Sequence, residues 1–489
     1  MPAPDSSGRF RAHQLMSAVR LAAALVIALS GSGCAAADAA DAPIAITHVV
    51  VIDGTGAPAR VDQTVVVVGG RIAAVGPSAS TAVPRGARRI DGRGRWLIPG
   101  LWDMHVHAFG NEFPDFAAPL LLAHGVTGAR DMGFYVDSAR FWTGEVRAGR
   151  LAGPRMVIGG RLDGPANRTP WVAHAATADE ARRAVDSLVA AGADFIKMYS
   201  RVPRDAYFAA ADQARRRGVK MAGHVPHGVS TREAARHQDG MEHEDDLMRA
   251  CSSEDEALRR ELAEAPPDAP PALQLATIRD HARRMRATYD PARCAAVISM
   301  LAHSGTALTP TLAVYQPYMA RGDTSVMHPS AHRYVPGPML ALWRTRLQRA
   351  EPSDTSTVAA FFSLERTGEM HRAGVRLLAG TDAPLPYLVP GLSLHDELAL
   401  LVRAGLTPME ALRTATYNPA AYLGALDSLG TIRPGRLADL VLLDADPLSD
   451  IRNTRRIHTV IANGRVVDRA ALFRRAEEYA RRSGHGNRR

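Results

Sequence analysis

The stretch Pro99–His107, PGLWDMHVH, decides how this chain is read. An apolar run, Trp96-Leu97-Ile98, enters a Pro-Gly turn, and a short strand-like segment follows that ends in two histidines one residue apart. On a β-strand, side chains at i and i+2 point the same way, so His105 and His107 share one face. Two imidazoles on one face can hold a divalent metal ion. A bare His-x-His is also common as a pair of ordinary polar residues, so the surroundings have to decide.

Upstream, from Ile44 to Ile98, short apolar runs alternate with Gly, Asp and Pro punctuation (HVVVIDGTG, TVVVVGGRIAAVG, ARRIDGRGRWLIPG), which is the signature of strands and turns. The other end of the chain repeats this pattern, with LGTIRPGRLADLVLLDAD followed by Ile457–Val467 and its hairpin signal Asn463-Gly464. These flanks are expected to pair into one small β-sandwich built from residues 43–98 and 430–470. Residues 471–489 read as an Arg-rich helix and tail.

Between the flanks the pattern changes. Candidate strands at 125–133, 156–164, 194–200, 220–228, 241–245, 307–314 and 375–384 alternate with Ala-rich helical stretches such as 177–191 and 203–217. With the His105/His107 strand they make eight strand–helix units, which predicts an α/β fold, a closed (β/α)8 TIM-type barrel, over residues 99–429. No Gly-x-Gly-x-x-Gly follows a strand, so a dinucleotide site loses support. Two long connections, 247–306 and 315–374, are expected to form lids or substrate walls rather than structureless linkers.

In such a barrel the chemistry sits at the C-terminal ends of the strands. Those ends carry His105 and His107, Lys197, His224 with His227, His243, and Asp382. Lys197 is telling. The chain has two lysines against 57 arginines, yet it keeps a lysine inside the apolar strand DFIKMYS. Burial there lowers the amine's pKa, and a neutral amine can take up CO2 to become an anionic carbamate able to bridge two metals. A Schiff base or a buried ion pair is the competing use.

These residues resemble the amidohydrolase superfamily, and within it the imidazolonepropionase-like, zinc-dependent Xaa-Pro dipeptidase branch. The resemblance rests on PGLWDMHVH, DFIKMYS, GHVPHGVSTREAARHQDGMEH, LLAGTDAP, GLTPMEALRTATYNPAAYLG and GTIRPGRLADLVLLDADP, and runs from Ile44 to about Val467. It implies two divalent metal ions of the zinc type. His105, His107 and Asp382 would hold one, His224 and His243 the other, and a carboxylated Lys197 would bridge them. Where related dipeptidases show His-x-His, this chain has His224-Val225-Pro226-His227, so the ligand role passes to His224 and His227 becomes a substrate contact, with Tyr199 and His303 as further candidates. Asp382 would be the catalytic proton carrier in hydrolysis of an amide or peptide C–N bond, in an Xaa-Pro dipeptide or an N-acyl amino acid, by a hydroxide shared between the metals. A lactonase or cyclic-amide hydrolase with the same metals is the alternative, and a non-catalytic metal-binding envelope protein comes from a different class. Mononuclear relatives lack the lysine, which disfavours imidazolonepropionase activity itself and deamination.

The N-terminus reads as a signal segment over residues 1–33: Arg9, Arg11 and Arg20 precede the apolar run Leu21–Leu29 and a small-residue stretch. Cys34 in SGSGCAAA resembles a lipoprotein cleavage site, so a lipid anchor is one outcome and plain cleavage the other. Either way the mature chain is expected outside the cytoplasm, in the periplasm or cell envelope. There Cys251 and Cys294 could form a disulfide, although their spacing does not require it. The formal charge is +9, but the arginines are scattered and no aromatic-interleaved basic stripe accompanies them, which argues against nucleic acid. The expected partners are a small-molecule or dipeptide substrate and further copies of the chain, a homo-oligomer.

Overall fold

The computed structural model describes residues 42–485, apart from 111, 168, 267–268, 320–323 and 350–353. The signal segment, Cys34 and the last four residues of the tail lie outside the described residues. Runs of β-branched residues form the first strands: β1 (Ile44–Val51), β2 (Arg60–Val68), β3 (Arg71–Pro77), β4 (Arg88–Asp91) and β5 (Trp96–Pro99). The chain then enters the barrel strands β6 (Leu101–Val106), β7 (Val126–Asp131), β8 (Arg155–Asp163), the short β9 (Ala173–His174), β10 (Phe195–Met198), β11 (Lys220–Gly223), β12 (Gly240–Glu242) and β13 (Ala307–Thr309). It closes with β14 (Leu440–Leu443), β15 (Ile457–Ala462) and β16 (Arg465–Val466), followed by a helix over Arg469–His485.

Both ends contribute to one sheet, in the order β16-β15-β14-β5-β1-β2-β3, with β4 beside β1. β14 pairs antiparallel with β5, Leu440 opposite Pro99 and Leu443 opposite Trp96, so the C-terminal piece grips the strand that leads into PGLWDMHVH. The sheet has its own apolar core of Ile46, Val49, Val51, Val65, Val67, Leu97, Leu440, Leu442 and Ile461. Side chains of this size each contribute about 1.5–3 kcal/mol when fully buried, enough in number to hold the two distant pieces together.

The second sheet is parallel, in the order β13-β12-β11-β10-β8-β7-β6, with β9 beside β8. Residues 375–384 close the ring: Leu377 bridges Leu308 of β13, and Ala383 bridges Val106 of β6, both in parallel. The architecture is thus the (β/α)8 barrel expected from the sequence. Two strands are shorter than expected for a physical reason. β13 stops at Thr309 because Pro310 has no N–H for the ladder, and the segment after β11 leaves the sheet at His224, just before Pro226. The barrel floor is packed by Trp102, Met104, Ala307, Leu378 and Tyr422.

The first long connection is helical, with helices Asp245–Ala250, Asp255–Glu264, Pro271–Ala287 and Pro291–Ser304, and the Cys251–Cys294 disulfide ties its start to its last helix. The second carries short 3-10 turns and the helices Gly337–Arg349 and Asp354–Arg372. Among the described residues, no helix is long and apolar enough to cross a membrane.

Candidate metal centre at the barrel mouth

The strand β6 and the segment after residue 380 are locked together by a buried carboxylate. Asp103 accepts the backbone N–H of His105 (3.2 Å) and of Thr381 (3.1 Å) and the Thr381 hydroxyl (2.7 Å). Burial pushes its carboxyl up to about 7 against those hydrogen bonds. Asp382 N–H then donates to the His105 carbonyl at 2.7 Å, and His107 N–H to the Ala383 carbonyl at 2.8 Å. Gly380 permits the approach: a Cβ there would lie 2.8 Å from the His105 backbone nitrogen. Asp382 (φ 61°), His243 (φ 66°) and Thr311 (φ 51°) all adopt the left-handed region, a concentration of backbone strain around one point of the mouth.

Three imidazoles face the Asp382 carboxylate. Nε2 of His105 and of His107 lie 3.3 and 3.1 Å from Oδ1, and Nε2 of His243 lies 4.0 Å from Oδ2. Ligand atoms of His105, His243 and Asp382 all fall within 4.8 Å of one another. The tautomers follow from the partners of the other ring nitrogens. His105 Nδ1 meets Glu242 Oε2 at 2.8 Å, a carboxylate that only accepts, so the proton is on Nδ1. His243 Nδ1 meets Thr311 Oγ1 at 2.7 Å, and that hydroxyl donates to the Pro310 carbonyl, so Nδ1 is again the donor. In both rings Nε2 is therefore the nitrogen left to face Asp382 across the mouth. His224 stacks on His243 with ring centroids 4.8 Å apart, and Tyr199 packs against its ring at 4.9 Å.

Burial shapes the electrostatics. It holds His224 well below the usual imidazole range and His243 down to about 3, so both rings are neutral with lone pairs available. Burial opposes charge on His105 as well, but Asp382 and Glu242 outweigh it and raise its pKa. Burial would raise Asp382, yet His105 and His107 keep its carboxyl well below the ordinary value. Lys197 is fully buried, its Nζ has no hydrogen-bond partner, and burial pushes its pKa down to about 8 although Glu242 and Asp382 pull the other way.

Of the residues expected from the sequence, the mouth gathers His105, His107, Lys197, His224, His243, Asp382 and Tyr199. His227 lies in the loop after β11, with its backbone N–H on the Ser200 carbonyl at 2.9 Å, and burial lowers its pKa to about 4. His303 is not brought to the site. It sits in the last turn of the helix Pro291–Ser304, which feeds the N-terminal end of β13, and its Nδ1 donates to the Ser299 carbonyl at 2.6 Å.

The expectation missed the support beneath the histidines. Glu242 lies between His105 and Arg130, whose Nη2 donates to Glu242 Oε1 at 2.6 Å while its Nε donates to the Met104 carbonyl at 2.7 Å. Burial would raise the Glu242 carboxyl, but Arg130 and His105 outweigh it and hold it ionised. This orienting carboxylate fixes the His105 tautomer, as carboxylates behind metal-bound histidines generally do. Arg130→Met would leave that buried carboxylate with only the His105 Nδ1–H bond and no guanidinium to balance its charge, a cost of about 3–5 kcal/mol. Urea unfolding should show a loss in that range, and a loss below about 1 kcal/mol would mean the ion pair is not what supports the strand.

A model of the amidohydrolase family matches residues 96–467. Among curated proteins, the imidazolonepropionase of Stenotrophomonas maltophilia (strain R551-3) is 36% identical over 115 residues, 22% of this chain and 26% of that protein. The chain thus spans about a quarter of the length of that curated relative. Among solved structures, a provisional prolidase from Bifidobacterium longum superposes with a TM-score of 0.63 at 26% identity, covering 89% of this chain and 99% of that one. A Xaa-Pro dipeptidase crystallised with methionine superposes at 0.64 with 19% identity, covering 87% and 100%, a likeness of fold.

Proposed function

Since the chain belongs to the amidohydrolase family, we propose that it is a metal-dependent hydrolase of amide C–N bonds, acting on Xaa-Pro dipeptides or N-acyl amino acids at the barrel mouth. The observation that supports this most is the convergence of three imidazole Nε2 atoms on the Asp382 carboxylate. The donor set suits zinc-like divalent ions: four imidazoles, of which His105 and His243 have their second nitrogens already hydrogen-bonded, a carboxylate, and a buried amine without a hydrogen bond. On this reading His105, His107 and Asp382 would hold one ion and His224 and His243 a second, with Lys197, as its carbamate, supplying an anionic ligand to them. Such ions supply Lewis acidity for a scissile carbonyl and make water a competent nucleophile near neutral pH.

The protein's own groups do the rest. Asp382, held in place through Thr381 and the His105 carbonyl, takes the proton from the attacking water and returns it to the leaving nitrogen. Tyr199 keeps its phenolic proton, because burial raises its pKa to about 12, so it can donate a hydrogen bond to the oxygen of the scissile carbonyl as charge develops there. His227 contacts substrate from the loop after β11. Export through residues 1–33 belongs to the same proposal, and the Cys251–Cys294 disulfide suits an oxidising compartment.

The test is metal analysis of the purified protein together with a panel of Xaa-Pro dipeptides, N-acyl amino acids, lactones and cyclic amides. Close to two ions per chain are expected, with amide hydrolysis that chelation removes and zinc restores. Turnover of lactones alone would transfer the site to ester chemistry. A protein that binds no metal and hydrolyses none of these would overturn the reading.

A further inference from the structure

Among the described residues, one cation at the mouth has an aromatic ring but no carboxylate for a partner. Arg161, near the end of β8, lies directly opposite Lys197 in the parallel ladder with β10, so both side chains leave the sheet on the same side, about 5 Å apart at the backbone. That side is the barrel interior: Gly159, two residues earlier, faces the Phe195 ring beneath Arg130. The Arg161 guanidinium stacks over the Tyr199 ring at 4.2 Å, and its Nε is buried without a hydrogen-bond partner. Among the described residues no carboxylate forms an ion pair with it.

The carboxylates at the neighbouring strand ends are already engaged. Asp131 accepts the backbone N–H groups of Ala108 (2.7 Å), Phe109 (3.1 Å) and Gly133 (2.8 Å). Asp163 accepts those of Gly164 (2.8 Å) and Arg201 (3.1 Å) and the Asn167 amide (2.9 Å). The fold also clears space for the arginine. Gly133, at φ 107°, lies against its stem so closely that a Cβ there would come 2.1 Å from Arg161 Cγ. A guanidinium partly withdrawn from water, held flat on an aromatic ring and denied a protein anion, is costly to the fold unless something else supplies the anion.

We propose that Arg161 is the receptor for a free carboxylate on the substrate's leaving amino acid. This rests on the hydrolase reading above and narrows it. In a dipeptide or N-acyl amino acid the carboxyl carbon is two bonds from the scissile nitrogen, so a scissile amide held beside Lys197 puts the carboxylate one strand over, at Arg161. Stacking on Tyr199 leaves the edge of the guanidinium fork free for two parallel N–H···O bonds. Phe134, which follows Gly133 in the chain, forms an aromatic cluster with Tyr135 and Trp171, ring centroids 5.1 to 5.7 Å apart, that would offer the side chain of that amino acid an apolar surface. The enzyme is then an exopeptidase in kind: it requires a free C-terminal carboxylate and rejects capped or extended peptides.

The experiment compares zinc-loaded wild type, Arg161→Gln and Arg161→Lys on each hydrolysed acid of the panel and on its C-terminal carboxamide. It is paired with calorimetric binding of N-acetyl-L-phenylalanine and its carboxamide to the same three proteins. Wild type should favour the acid by roughly 100-fold in kcat/KM, the scale of a charge-assisted bidentate pair. In Arg161→Gln that ratio should fall to within about 3-fold, carried mainly by KM, with Arg161→Lys in between and metal content equal in all three. A ratio that survives in Arg161→Gln overturns the proposal while leaving the hydrolase intact. So does an equal loss on both substrates accompanied by loss of metal, which would assign the arginine to the Lys197 carbamate instead. If wild type hydrolyses nothing, the hydrolase reading falls and calorimetry decides: acid-selective binding lost in Arg161→Gln upholds the receptor, and its absence in wild type removes it.

Discussion

Asp382→Asn in metal-loaded protein is expected to lower kcat by roughly 10²–10⁴-fold, the contribution of a positioned proton carrier. The substitution is close to isosteric, and the segment that bears it is fixed by other groups: Asp103 clamps Thr381 twice, and the Asp382 N–H holds the His105 carbonyl. The amide should therefore occupy the same place between His105 and His107. What it loses is the ability to accept a proton from water and pass it to the leaving nitrogen. Steady-state kinetics with parallel metal analysis and thermal melting separates the causes. A large fall in kcat with metal retained supports the proton role. A fall that tracks loss of one metal would make Asp382 a ligand only, and turnover near wild type would remove it from the chemistry.

The way the site was and was not legible in the sequence follows from its construction. Each barrel strand announces itself as a short apolar run closed by Gly or Pro, and the residues at the ends of those runs are the ones that meet at the mouth. The composite sheet was legible because two flanks with the same hairpin pattern bracket a region of different period. The reading failed where it used frequency instead of position. Arg130 and Arg161 share with Lys197 a cation near the C-terminal end of a largely apolar strand, a position hard to single out among 57 arginines. Glu242 was hidden next to His243 in Met-Glu-His, because strict period-2 alternation puts neighbours on opposite sides, whereas the left-handed backbone at His243 (φ 66°) lets both side chains reach His105. His303 failed for the converse reason. Its stretch, Pro291–Gly305, is a helix closed by a left-handed glycine, and a helix that precedes a barrel strand ends at the wrong end of the barrel for chemistry.

Lys197→Ala separates a structural amine from a metal-bridging one. The side chain is completely buried and its Nζ has no hydrogen bond, so removing it breaks no hydrogen bond of the fold. An unpaired buried amine costs stability, which offsets part of the cavity the alanine leaves, so the metal-free variant should melt only slightly below the metal-free wild type. The metal-loaded state should differ more. Without the carbamate, the second ion loses its anionic bridge to the first, so metal content should drop below two per chain. Turnover should fall on the order of 10²–10³-fold, the scale of deleting one preorganised electrostatic group. Formate, acetate or propionate should partly restore both, because the alanine leaves a cavity in which a small carboxylate can take the place of the carbamate oxygens. Lys197→Arg should show no such rescue, since the guanidinium fills the cavity and cannot add CO2 near neutral pH. Wild type reloaded with zinc in CO2-free buffer should regain activity only when bicarbonate is added. Two metals and full activity in Lys197→Ala would show that the lysine bridges nothing, and the buried amine would then need another reason to sit, unpaired, among three histidines and a carboxylate.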